Sequence, residues 1–117
     1  MDKPFTGTAD RVRADLALLR EAAPDAAKAF GALAMAATAT KALDTKTKEL
    51  MAVAIGIAMR CHGCIAIHMR SAVKAGATRQ EVAETIALAI YMGGGPAVVY
   101  GGEALRAFDE FAPAAPA

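Results

Sequence analysis

Every cysteine and histidine of this chain lies in one stretch, Glu49 to His68, which reads ELMAVAIGIAMRCHGCIAIH. Cys61 and Cys64 form a C-x-x-C, His62 and His68 flank the second cysteine, and Glu49 heads the apolar run before them. Thiolate, imidazole and carboxylate together are the parts of a proton-coupled thiol reaction. If the cysteine segment is helical, each residue turns by about 100°. Measured from Cys61, His68 then lies at about −20° and Cys64 at about −60°, on the side shared with Ile65 and Ala72. That stripe faces the core. His62 stands about 100° away from it, on a more exposed side.

Two cysteines three residues apart in a first helical turn close a disulfide with modest adjustment. Proximity to the helix N-terminus favours thiolate, and on that ground Cys61 is the more acidic thiol. Cys64 has the other advantage: His68 is one turn away and is placed to take its proton. Glu49 belongs to the preceding helix. A carboxylate at the head of so apolar a segment needs a partner, and His68, the thiols or the neighbouring Lys48 would each serve. Blander readings stand beside these. The cysteines pack well as inert core residues, and Glu49 suits a helix first turn by its charge alone. Cys61, Cys64, Glu49 and either histidine form a conceivable zinc set, although structural zinc usually draws its second ligand pair from a separate loop.

The elements that would hold these groups are helices. Thr8 can cap a first helix reaching about Ala22, with Val12, Leu16 and Leu19 on one stripe, after a loosely ordered start through Gly7. Pro24 opens a second helix, with Phe30, Leu33 and Ala37 on its inner face, ending near Ala39. Asp44 or Thr45 caps a third, from about Lys46 to Met59. Beyond its polar first turn it is apolar all round, the pattern of a helix buried on every side. The fourth runs from Cys61 or His62 to Gly76, a natural left-handed stop. Thr78-Arg79-Gln80-Glu81 is a capping box for a fifth helix reaching about Met92. Gly93-Gly94-Gly95-Pro96 then breaks the chain. It lacks the preceding strand and the Lys-Ser/Thr of a phosphate loop, so it reads as a helix–helix turn. Pro96 begins a sixth helix ending near Phe111, and the Ala/Pro tail from Ala112 frays. No alternating stretch of strand length occurs, so the expected fold is an all-α bundle.

The totals exclude several classes. At 117 residues the length suits a single domain. A net charge of +1 gives no electrostatic case for nucleic acid or an anionic membrane. The longest unbroken apolar run, Leu50 to Met59, is too short to span a bilayer. The N-terminus shows no apolar signal segment, so the expected location is the cytoplasm, where a close cysteine pair reads as catalytic or metal-binding. A hydrophobic content of 56% with mean hydropathy +0.33 is high for so short a monomer and points to apolar surface covered by another subunit.

Lys48-Glu49-Leu50, Cys61-x-x-Cys64-x-x-x-His68 and Met92-Gly93-Gly94-Gly95-Pro96-Ala97 resemble the AhpD-like (alkylhydroperoxidase D-like) branch of the carboxymuconolactone decarboxylase family. The resemblance covers roughly residues 30–111. It implies a compact six-helix AhpD-like bundle assembled as a trimer or hexamer. It also implies a redox-active dithiol that reduces alkyl hydroperoxides, with Cys64 the peroxide-attacking thiol, Cys61 the resolving thiol, and Glu49 and His68 the proton relay. The reductant would be an external dithiol, such as a lipoyl-type carrier, and no metal, haem or flavin is implied. AhpD proteins carry a further histidine just before the second cysteine. Gly63 stands there in this chain, and the histidine is one place earlier, at His62. Two alternatives remain: the cofactor-free lactone decarboxylase activity of the same family, and a non-catalytic, redox-sensing or zinc-binding oligomeric module.

Overall fold

A computed structural model describes residues 2–113, and among them six α-helices and no strand. They are α1 (Pro4–Ala22), α2 (Pro24–Thr38), α3 (Thr45–Ala58), α4 (His62–Lys74), α5 (Arg79–Gly93) and α6 (Gly95–Phe111). The expected all-α class is what forms. The local signals explain most of the boundaries. Asp44 caps α3 by accepting the Thr47 N–H at 2.8 Å. The Thr78/Glu81 capping box is closed in both directions. Pro24 and Pro96 sit in the first turns of α2 and α6, where a missing N–H leaves no bond unmade.

The core is built from α3, α4, α5 and α6, with the N-terminal half of α1 laid across one side. Val53 and Ile57 of α3, Ile65 and Met69 of α4, and Val82 of α5 are almost completely buried. Small residues set the close spacing of α5 and α6. A Cβ on Gly101 would lie 2.7 Å from Ile86, closer than side-chain atoms approach one another. No helix among the described residues is long and apolar enough to cross a membrane.

Three expectations fail for identifiable reasons. The chain is helical from Pro4 and not loose through Gly7, and Thr8 is a buried mid-helix residue and not a cap. Phe5 is buried, and the Glu110 carboxylate of α6 accepts the backbone N–H groups of Phe5 and Thr6 and the Thr6 hydroxyl. That partner is distant in sequence, so no local signal announces the helix start. Next, the apolar face of α2 does not meet a core. The helix has no buried residue, and Phe30 is 65% exposed. Finally, α3 is not buried on every side, because Met51, Ile55 and Met59 emerge along one edge. The radius of gyration, 14.6 Å, reflects this, since a compact chain of this length is expected near about 13 Å. Of the tail from Ala112 to Ala117 expected to fray, residues 114–117 lie outside the described part.

Candidate active site

The site starts from the turn between α3 and α4. The Cys61 N–H closes α3 on the Gly56 carbonyl at 2.9 Å, and the Arg60 N–H reaches the Ile57 carbonyl at 3.1 Å. This paired closure is a Schellman ending, with Arg60 in the left-handed position at φ 56°. Cys61 then opens α4 as its N-cap, and its sulfur accepts the Cys64 N–H at 3.2 Å. One residue thus ends one helix and begins the next, which holds the C-x-x-C at a fixed place on the bundle. The two sulfurs are joined as a disulfide, with Cα atoms 5.2 Å apart.

Glu49 and His68 meet across the α3–α4 interface. Glu49 is 5% exposed, and its Oε2 lies 2.9 Å from His68 Nδ1. The carboxylate holds the Nδ1 proton and leaves Nε2 as the proton-accepting nitrogen. Lys48 is not the partner of Glu49; its ammonium donates to the Ala39 carbonyl at 2.6 Å and ties the end of α2 to α3. His68, Cys61 and Cys64 line one cleft of about 280 Å³ together with Ala52, Ile55, Gly56 and Met59. A second apolar hollow of about 480 Å³ between α2 and α3 shares Ala52, Ile55 and His68 with it, and Phe30, Leu33 and Met51 lie on its walls. The four residues singled out from sequence, Glu49, Cys61, Cys64 and His68, therefore converge. The thiols and His68 are half-buried at the α3-facing edge of α4, while Ile65, Ala66, Met69 and Ala72 face the core.

His62 points elsewhere. Its ring packs on Phe5 with centroids 5.2 Å apart, and its nitrogens lie 3.4 Å from Thr8 Oγ1 and 3.9 Å from Glu103. Position 63 is crowded from the same side: a Cβ there would sit 3.1 Å from Val12 Cγ2. A side chain at position 63 would therefore require Val12 of the first helix to give by a few tenths of an ångström. Gly56 was the residue missed. A Cβ there would come within 3.3 Å of Cys64 Cβ, so the missing side chain lets α3 approach the thiol turn. An isolated glycine inside the apolar helical run AVAIGIA was the available signal. Among the described residues no three His, Cys, Asp or Glu side chains converge as a metal-ligating group.

Comparison with known proteins places this geometry. The sequence profile of the Carboxymuconolactone decarboxylase family matches residues 24–110. The chain belongs to that family. The match starts where α2 starts, so α1 stands apart from the matched region. A crystal structure of a carboxymuconolactone decarboxylase family protein from Legionella pneumophila superposes with a TM-score of 0.92 and 45% identity, over 96% of this chain and 100% of that one. A Thermotoga maritima protein of the family superposes at 0.78 with 28% identity, over 87% of each chain. An uncharacterized protein of Cupriavidus necator is 41% identical over 78% of this chain and 80% of its own. A protein of the Paracoccus denitrificans cox locus, also uncharacterized, is 39% identical over 70% and 74%.

Proposed function

We propose that this carboxymuconolactone decarboxylase family protein is a dithiol-dependent peroxidase of AhpD-like type, acting as one domain in the cytoplasm. The observation that carries the reading is the pairing of buried Glu49 with half-buried His68, whose ring lines the same cleft as the disulfide-forming Cys61–Cys64 pair. A carboxylate that fixes an imidazole tautomer beside a thiol is the arrangement that activates a sulfur nucleophile. The Thermotoga maritima relative is described as a candidate for an antioxidative response, which agrees in kind.

In the proposed cycle the Cys64 thiolate attacks the terminal peroxide oxygen. The O–O bond breaks, an S–O bond forms, and the alkoxide leaves as alcohol once a proton reaches it from the His68 side. Cys61 then attacks the Cys64 sulfenic acid, forming the disulfide and releasing water. A dithiol reductant, such as a lipoyl-type carrier, restores both thiols by exchange and is itself oxidised to a disulfide. Overall, one hydroperoxide and one dithiol give alcohol, water and the carrier disulfide. The cleft walls are apolar, which suits an alkyl hydroperoxide.

The reading includes a homo-oligomer, a trimer or hexamer as the resemblance implies. The exposed apolar faces of α2 and α3, and a second set at Leu88, Tyr91, Met92, Val98 and Val99, support it. The decisive assay follows hydroperoxide consumption with a dithiol reductant. Turnover is expected in the wild type and lost in both Cys64→Ser and Cys61→Ser. Undiminished turnover in both variants ends the proposal. Activity on a γ-carboxylactone that survives alkylation of both thiols would put the decarboxylase alternative in its place.

A further inference from the structure

Three cations meet on the outer side of α4. Arg13 of α1, with Arg70 and Lys74 of α4, lines a groove of about 510 Å³ between the two helices. Ser71 supplies a hydroxyl to it, and Leu16 and Ile67 supply apolar surface. Arg70 donates to Asp10 at 3.2 Å, which fixes its guanidinium at the groove and leaves it further N–H donors. Among the described residues no carboxylate pairs with Arg13 or Lys74. Lys74 suits the end of α4 by its charge alone. A helix terminus does not call for Arg13 as well, nor for apolar side chains among the cations. Ser71 and Lys74 also wall an open polar cavity of about 550 Å³ behind Glu49, with Thr40, Asp44 and Lys46. Lys46 is held there by Glu81 at 2.8 Å, and the Asp44 and Glu49 carboxylates repel an anion from that side. An oxyanion is therefore drawn to the groove.

The groove lines up with the thiols. Cys64, Ile67, Ser71 and Lys74 fall within about 80° of one another around α4, so they form one stripe. Arg70 and Lys74 follow Cys64 by six and ten residues, about 9 and 15 Å along the helix axis. Ile67 lies on the stripe between the charges and the sulfur, with Leu16 across the groove from α1. Leu16 also opens onto the apolar hollow it forms with Leu19 and Phe30. We propose that the groove takes the carboxylate of an amphipathic acid, a medium-chain fatty acid whose far end carries the hydroperoxide presented to Cys64. The inference rests on the peroxidase reading for the reaction and names its substrate class; the anion site does not depend on that reading. Arg13 and Lys74 bind and orient the acid and touch no reacting atom. A small alkyl hydroperoxide has no carboxylate and reaches the thiols without the groove. A bare oxyanion such as phosphate would satisfy the cations but make no use of Leu16 and Ile67, so the apolar surface favours a chain.

Calorimetry with decanoate and the disulfide form of the full chain tests the site without turnover. Binding is expected, and Arg13→Gln and Lys74→Gln should each weaken it by about fivefold, the scale of an exposed charge-assisted contact. Leu16→Asp, which removes apolar surface and adds a like charge, should weaken it further. Decyltrimethylammonium, the same chain with the opposite charge, should bind at least about tenfold more weakly. In turnover, each glutamine variant should raise KM for decanoic acid bearing a terminal hydroperoxide by the same factor. The kcat, and the KM for tert-butyl hydroperoxide, should stay at wild-type values. Equal binding of the cationic chain, no weakening in either glutamine variant, or displacement of decanoate by inorganic phosphate at similar concentration overturns the proposal. Turnover of tert-butyl hydroperoxide with no response of the acid to Arg13 or Lys74 sinks the groove and leaves the peroxidase reading standing. Decanoate bound as expected by a protein inert to every hydroperoxide sinks the peroxidase reading and leaves the anion site standing.

Discussion

The α3–α4 hairpin and α2 are both apolar helical stretches, and they are treated oppositely. In the hairpin the contacts around the site are matched within the chain, although Met51, Ile55 and Met59 stay exposed along one edge. Gly56 admits Cys64, a Schellman turn passes directly into an N-cap, and the buried Glu49 meets His68. The second helix has no buried residue. It is held at its C-terminal end by hydrogen bonds from Thr45 to the Thr38 carbonyl (2.7 Å) and from Lys48 to the Ala39 carbonyl (2.6 Å). Helical periodicity does not say whether an apolar stripe is matched inside the protomer or left for another. The proposed chemistry would sit on the matched side, and His68 lies where the two meet, lining hollows shared with each.

The contrast breaks most sharply at Glu49. Glu49→Gln preserves shape but removes the charge that fixes His68. Hydroperoxide turnover should fall by roughly 10²–10⁴-fold, the span of positioned proton transfer. The melting temperature should move little, because the amide still bonds to the imidazole. A large fall in melting temperature with modest kinetic loss would make Glu49 a structural anchor and not a relay.

Packing gives the next effect. Met69 is fully buried in α4, so Met69→Ala should cost about 2–5 kcal/mol by denaturant unfolding. Phe30→Ser with Leu33→Ser on α2 should change the stability of an isolated protomer by only about 0.5 kcal/mol. The same pair should lower the assembled mass in sedimentation if the α2–α3 face seats a second copy. Equal destabilisation by the core and α2 substitutions, with no change in mass, would erase the distinction.

The first helix is intermediate, fastened at its start and open from Leu16 onward. Its fastening is Glu110. Burial pushes this carboxyl up, but the Thr6 hydroxyl and the Thr6 and Phe5 N–H groups outweigh it, and the net pKa lies below the ordinary glutamate value. The folded form is therefore favoured above the unfolded pKa, and that advantage fades as pH falls through the lower folded value. Glu110→Gln should cost about 1 kcal/mol at neutral pH and converge with wild type in acid, as measured by urea unfolding across pH. A constant difference between the two at every pH would assign the effect to packing.

How much of this was legible follows the same division. Caps and turns are short-range, so Asp44, Pro24, Thr78-Glu81 and Pro96 announce their helices. The convergence of Glu49, Cys61, Cys64 and His68 was also legible, because helical spacing orders three of them and adjacent helices bring in the fourth. What failed was long-range: the Pro4 start depends on Glu110. The packing of Val12 at Gly63 and of Phe5 on His62, which stands off the thiol side as expected, likewise joins residues too distant in sequence to be read beforehand. The open faces of α2 and α3 were misassigned because Phe30, Leu33 and Met51 have the spacing that core residues have. The polar cavity behind Glu49 had no signal, since Thr40, Ser71 and Lys74 become neighbours only after α3 and α4 pack.

The finest test concerns two helix endings of one design. Helix α4 closes with Gly76 N–H to the Val73 carbonyl (3.0 Å) and Ala77 N–H to the Ala72 carbonyl (2.9 Å), with Gly76 at φ 95°. Helix α3 repeats the pattern but places Arg60 at φ 56°. An L-residue there costs about 1–2 kcal/mol relative to glycine, while glycine forfeits about 0.5–1 kcal/mol through its freer unfolded chain. Arg60→Gly should therefore raise stability slightly, by up to about 1 kcal/mol, and Gly76→Arg should lower it by a similar amount. Urea midpoints compare the two. If Arg60→Gly instead destabilises, the Arg60 side chain contributes more than its backbone costs, and the turn ahead of Cys61 is held by contacts that α4's own ending does without.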